Sequence, residues 1–129
     1  MASVIPVAKS LYLCDEILAD PTRVKPHLIG VLNSVRVPTF PHTVDRLCVF
    51  AKLCDGFGDV RCVVRVVNTR DLTTHFETSE RMLHFRDRRQ TLYAIFRLEQ
   101  LVWPETGEFV VELYCNGKFV DDATLTIFQ

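Results

Sequence analysis

"VRCVVRVV" and "EFVVELYC" each place an apolar side chain at nearly every second position, the spacing that turns one face of a β-strand toward a core and the other toward solvent. The same two-residue period, rich in β-branched side chains, recurs along most of the chain. No window of a dozen residues sustains an apolar stripe at i, i+3, i+4, so helix is limited to a short turn. The pattern predicts strands over residues 7–14, 27–37, 47–54, 60–68, 74–78, 91–98, 108–115 and 118–128. About eight short strands split by turn signals predict a sandwich or small barrel.

Turn residues punctuate these segments. "ADPTRVKP" separates the first two strands, and "VPTFPH" separates the second from the third, since proline cannot donate to a central ladder. "DGFGD", residues 55–59, carries two glycines that permit positive φ and is expected to close a hairpin between "LCVFAKLC" and "VRCVVRVV". "LVWPETG" is expected to turn a corner, with Trp103 in the turn before Pro104. Asn116-Gly117 is the strongest hairpin signal in the chain.

That last hairpin poses a register problem. A two-residue turn sets Cys115 opposite Lys118 and Leu113 opposite Val120, which would force Asp122 onto the buried face opposite Val111. One extra residue at Asp121-Asp122 brings Ala123 opposite Val111 and Leu125 opposite Phe109, and returns Val120, Ala123, Leu125 and Ile127 to the core. A β-bulge supplies that residue. The expected core also takes Val60, Cys62, Val64, Val66, Leu92, Ala94, Phe96, Leu98, Phe109, Val111, Leu113 and Cys115.

Composition narrows the classes of function. A chain of 129 residues, 48% hydrophobic, is one domain's worth of material, so residues 1–129 are expected to form a single domain. Fifteen Lys and Arg against sixteen Asp and Glu give no overall pull toward nucleic acid or an anionic membrane. Cys14, Cys48, Cys54, Cys62 and Cys115 are odd in number and lack a CxxC pair, which points to reduced thiols in a cytoplasmic protein. The first fifteen residues contain neither a signal peptide's apolar core nor a membrane span.

Reactive motifs are missing. His27, His42, His75 and His84 show no metal-ligand spacing, and "DGFGD" lacks the lysine and helix that would make it a phosphate loop. No enzyme, cofactor or metal is therefore expected. Charge is uneven: residues 61–97 hold eight arginines against four acids, and "RMLHFRDRRQ" (residues 81–90) is the densest basic stretch. Its expected place is a solvated loop between two strands, since nucleic-acid platforms add a row of exposed aromatics and only Phe85 is interleaved here.

"TLYAIFRLEQLVWPETGEFVVELYCNGKFVDDATLTIF" resembles the last three strands of immunoglobulin-like sandwiches, although Phe109 stands where a corner tyrosine belongs in that family. "LYLCDEILAD", "LIGVLNSVRVPTFP", "LCVFAKLCDGFGDVRCVVRVV" and "WPETGEFVVELYCNG" resemble an uncharacterised family of short bacterial cytoplasmic proteins with the same order of segments. The likeness implies an all-β, antiparallel, immunoglobulin-like sandwich and supplies no catalytic residues.

With Phe109, Val111 and Leu113 inward, alternation turns Val110, Glu112 and Tyr114 outward, and the hairpin sets Phe119 opposite Tyr114. If residues 60–68 neighbour this hairpin, Arg61, Val63 and Arg65 extend the face, with Arg65 placed to pair with Glu112. Apolar centres with a charged rim are the anatomy of a protein-interaction site, so the expected function is a non-catalytic module that binds another protein or a second copy of itself. A ligand or ion binder using end loops with Asp55, Asp59, Asp71 and Asp121 is the alternative, followed by a hydrolytic enzyme assembled from separate loops.

Overall fold

The computed structural model describes residues 2–19 and 25–129, and all its regular structure is β. Among the described residues ten strands are formed: β1 (Val7–Leu18), β2 (His27–Leu32), β3 (Ser34–Arg36), β4 (His42–Cys54), β5 (Gly58–Asn68), β6 (Thr74–Glu77), β7 (Arg81–Phe85), β8 (Leu92–Trp103), β9 (Gly107–Cys115) and β10 (Lys118–Phe128). One sheet runs β2-β1-β4-β8; the other runs β3-β10-β9-β5-β6, with β7 pairing the first half of β5. The pairings are antiparallel except for β3 against β10. The two sheets pack as a sandwich.

Alternation places the core. Leu47, Val49, Ala51 and Leu53 of β4 and Ala94, Phe96 and Leu98 of β8 point at Val60, Cys62, Val64 and Val66 of β5 and Phe109, Val111 and Leu113 of β9. Of the expected core positions, Leu92, Val120 and Ala123 are only partly buried, yet they pack against the same cluster.

Several expectations are corrected. The segment 27–37 is two strands in different sheets: Leu32 and Val35 both reach the core although three positions apart, so the chain must switch sheets between them. Residues 55–59 do not close a hairpin. They carry the chain from β4 in one sheet to β5 in the other, because Leu53 and Val60 enter the core from opposite sides. Asp55 and Gly58 turn this crossing with positive φ, and Phe57 pairs with Val4. Gly56 lies so close to the Phe85 ring that a Cβ there would stand 2.9 Å from it.

Part of the basic stretch is also a strand, β7, with Phe85 buried and Leu83 half-buried between exposed Met82 and His84. Trp103 ends β8 and is buried, stacked on His75 at 4.9 Å and tilted against Phe109 at 4.8 Å. Left-handed Gln100 lets Leu98, Leu101 and Trp103 all face inward despite the odd spacing of the first two. The turn expected at "ADPTRVKP" lies, at residues 20–24, outside the described residues.

The β9–β10 hairpin carries its extra residue one position before the expected Asp121-Asp122 step. Phe119 faces Tyr114 and Asp121 faces Leu113, so the ladder shifts at Val120. Beyond it Ala123 meets Val111 and Leu125 meets Phe109, the pairing the apolar pattern requires.

Candidate functional site

The outer face of the six-stranded sheet is built by the residues that alternate with the core. On β5 these are Arg61, Val63, Arg65 and Val67; on β9 they are Val110, Glu112 and Tyr114; and β10 adds Phe119 at the hairpin. β5 is the neighbour of β9, so the two sets lie side by side: Val63 opposite Tyr114, Arg65 opposite Glu112, Val67 opposite Val110. Phe119 continues the row from Val63 and Tyr114.

These side chains hold one another. The Tyr114 and Phe119 rings meet edge to face at 6.0 Å, and the Arg65 guanidinium lies 4.5 Å above the centre of Tyr114. Such contacts contribute roughly 0.5–1.5 kcal/mol each and restrict the rotamers of all three residues. Arg65 does not pair with Glu112 as expected. Its Nε donates to Glu77 Oε1 at 2.7 Å, because β6 brings Glu77 directly opposite Arg65 on the other flank of β5. Glu112 instead accepts the Tyr114 hydroxyl at 3.0 Å. Burial, and then this bond to a carboxylate, push the Tyr114 phenol above its ordinary pKa. Phe119 remains 53% exposed.

The face therefore has an apolar and aromatic row, Val63-Tyr114-Phe119, beside a charged row, Glu77-Arg65-Glu112-Asp122. Arg61 borders it, opposite the exposed Met82 of β7. Glu77 and Met82 escape the sequence reasoning, because their place depends on which strands flank β5. The alternation of "RMLHF" is the signal by which Met82 could have been found.

The structure does not assemble the carboxylates of the end loops. Asp55 and Asp59 lie at the start of β5 and Asp71 beyond its end, roughly 35 Å away at about 3.3 Å per strand residue. The carboxylates of Asp59, Asp71 and Asp121 are engaged locally, and Asp55 is held through its backbone carbonyl, which accepts from Arg88 Nε at 2.9 Å. Asp59 meets His84 at 2.7 Å, Asp71 accepts the hydroxyl and amide of Thr73, and Asp121 accepts the amide of Asp122. The Thr73 hydroxyl, followed by its amide, holds the Asp71 carboxyl below its ordinary pKa. Among the described residues no group of three His, Cys, Asp or Glu side chains is arranged to hold a metal.

A groove of about 500 Å³ runs between Thr78–Arg81 and the free edge of β8 at Ile95–Arg97. Its two cations are committed to backbone: Arg81 donates to Ile95 O, and Arg97 donates to Ile17 O at 3.0 Å. His84 and Asp59 form the arrangement nearest to a general base, but both are more than half exposed, and no thiol or hydroxyl among the described residues hydrogen-bonds the other ring nitrogen. Among the described residues no helix is long and apolar enough to cross a membrane.

No curated protein matches the chain. A solved member of glycosyl hydrolase family 2 from Bacteroides cellulosilyticus aligns with a TM-score of 0.45 and 17% identity over 81% of this chain, which spans 17% of that protein's length. So slight a likeness carries no argument about activity. The model of a family of unknown function matches residues 9–128, nearly the whole sequence, and the chain thus belongs to that family, DUF6941.

Proposed function

We propose that the protein is a non-catalytic interaction module that docks another protein, or a second copy of itself, on the outer face of the six-stranded sheet. The observation that carries this reading is the Arg65-Tyr114-Phe119 stack, an aromatic platform held in place by its neighbours and still open to solvent. Preassembled aromatic and arginine side chains lose little entropy on binding, which is why they dominate protein interfaces. The acidic residues of the charged row outnumber Arg65 and favour a partner with an apolar centre and a basic rim. An odd cysteine count supports a reducing, cytoplasmic setting, and the family resemblance supports a bacterial one.

Replacing Tyr114 by Ser together with Phe119 by Thr tests the site. Self-association, measured by sedimentation equilibrium, and capture of a partner from the native host are expected to weaken by about tenfold or more, while the circular dichroism spectrum is retained. Unchanged association by the folded double variant would remove the face from consideration. Loss of folding without a binding-specific effect would assign the pair to sheet stability.

A further inference from the structure

Cys62 of β5 and Cys115 of β9 stand directly opposite each other, both inward and both buried. Asn116 N donates to Arg61 O at 2.8 Å, so Arg61 and Asn116 occupy a hydrogen-bonded position of the ladder. Antiparallel pairs alternate, which makes Cys62 and Cys115 a non-hydrogen-bonded pair, the closer kind, with Cα atoms about 4.5 Å apart. That spacing falls inside the range of roughly 4.4–6.8 Å spanned by disulfides. The sulfurs are already in contact at 3.4 Å. Cys14 and Cys48 are also opposite each other, on β1 and β4, but Cys48 Sγ is directed at Asp15 O, 3.8 Å away.

We propose that Cys62 and Cys115 form a dithiol site that a peroxide oxidises to an intramolecular cross-strand disulfide. The Cys62 thiolate attacks one peroxide oxygen; an S–O bond forms, the O–O bond breaks, and the released hydroxide takes a proton to become water. The Cys115 sulfur then attacks the Cys62 sulfur of the sulfenic acid. The S–S bond forms as the S–O bond breaks, and the departing hydroxide leaves with the Cys115 proton as a second water. Two thiols are oxidised and one peroxide is reduced.

The contact supplies the proton balance: either sulfur can donate to the other, so once one thiol ionises its neighbour keeps its proton and holds the thiolate. With Cys115 donating, that bond lowers the pKa of Cys62 and, followed by burial, raises that of Cys115. Access comes from the end of the ladder. Cys115 adjoins the Asn116-Gly117 turn, beside a groove of about 450 Å³ lined by Ser3, Arg61 and Gly117, and opening of such a hairpin end exposes the pair without global unfolding. The bridge would tie together the two strands that carry Val63, Arg65, Glu112 and Tyr114, with its sulfurs on the opposite side from that face. The oxidation stands independently of the proposed docking function.

The test treats the folded full chain with hydrogen peroxide, traps thiols by alkylation in denaturant, and maps the peptides. The wild type is expected to lose two of its five thiols, to yield a peptide joining Cys62 to Cys115 within one chain, and to recover on addition of dithiothreitol. Cys62→Ser is expected to keep all its remaining thiols under the same treatment, Cys115→Ser to lose one as the unresolved sulfenic acid of Cys62, and neither to form the bridge, whereas Cys48→Ser still loses two. Retention of five alkylated cysteines by the wild type, a bridge between other cysteines, or a bridge between chains would overturn the proposal. The wild-type map decides alone if a serine variant fails to fold.

Discussion

Phe109 shows how much a single position carries. Its ring touches both Trp103 and His75, and it lies in the core opposite Leu125, the first buried residue beyond the bulge. Truncation to alanine is expected to cost about 3–5 kcal/mol, read as a lower urea midpoint with an unchanged slope. An unchanged midpoint would place the ring outside the core. A second residue-scale expectation concerns Cys14, whose thiol is pushed from 9.0 to about 11 by burial, with Cys48 and Asp15 adding in the same direction. A raised folded-state pKa means that folding favours the protonated thiol. Its contribution is full below pH 9 and is lost as pH rises through about 11. Stability measured by urea titration should therefore fall over that alkaline window, and Cys14→Ala should flatten the fall. An identical slope in the variant would show that Cys14 is not responsible.

At the scale of elements, the terminal hairpin was the most legible part of the chain, because a two-residue turn and an apolar alternation that disagree by one position leave a single kind of solution. The bulge follows from that conflict, and only its position, at Val120 instead of Asp121-Asp122, depended on the final geometry. Deleting Asp121 should remove the extra residue, leave Val120 opposite Leu113 and keep Ala123 and Leu125 in register. Deleting Thr124 should instead force either Asp122 or the exposed side of β10 onto the core. The first deletion is expected to fold with a loss of at most about 2 kcal/mol and the second to unfold, since burying an unpaired carboxylate costs several kcal/mol. Equal thermal midpoints for the two would refute the register. β7 was less legible, because the arginines surrounding "RMLHF" give its window the character of a loop. The switch between β2 and β3 falls at the single residue Asn33, too brief a turn signal within the surrounding apolar residues to divide one strand into two.

For the whole molecule, Trp103 is a natural reporter. It belongs to one sheet through β8 but rests on His75 and Phe109 of the other, so its surroundings exist only while the sheets are packed together. The main cluster joins side chains from both sheets without interruption. Fluorescence of Trp103 and far-ultraviolet circular dichroism should accordingly report one coincident transition in urea. A fluorescence change that precedes loss of strand signal would show that the sheets separate before either unravels.

By itself the sequence determined that the chain is all β, which side chains of β5, β9 and β10 and the first part of β8 turn inward, that the last hairpin carries an extra residue, and that Arg61, Val63, Arg65, Val110, Glu112, Tyr114 and Phe119 belong to outward faces. Alternation and turn chemistry are local, so they survive without knowledge of the fold. Tertiary structure alone decided that residues 55–59 cross between sheets, that β6 delivers Glu77 to Arg65, and that Cys62 meets Cys115. Each of these depends on which strands become neighbours. That choice is made by the joint burial of segments far apart in the chain, a quantity no short window of sequence contains.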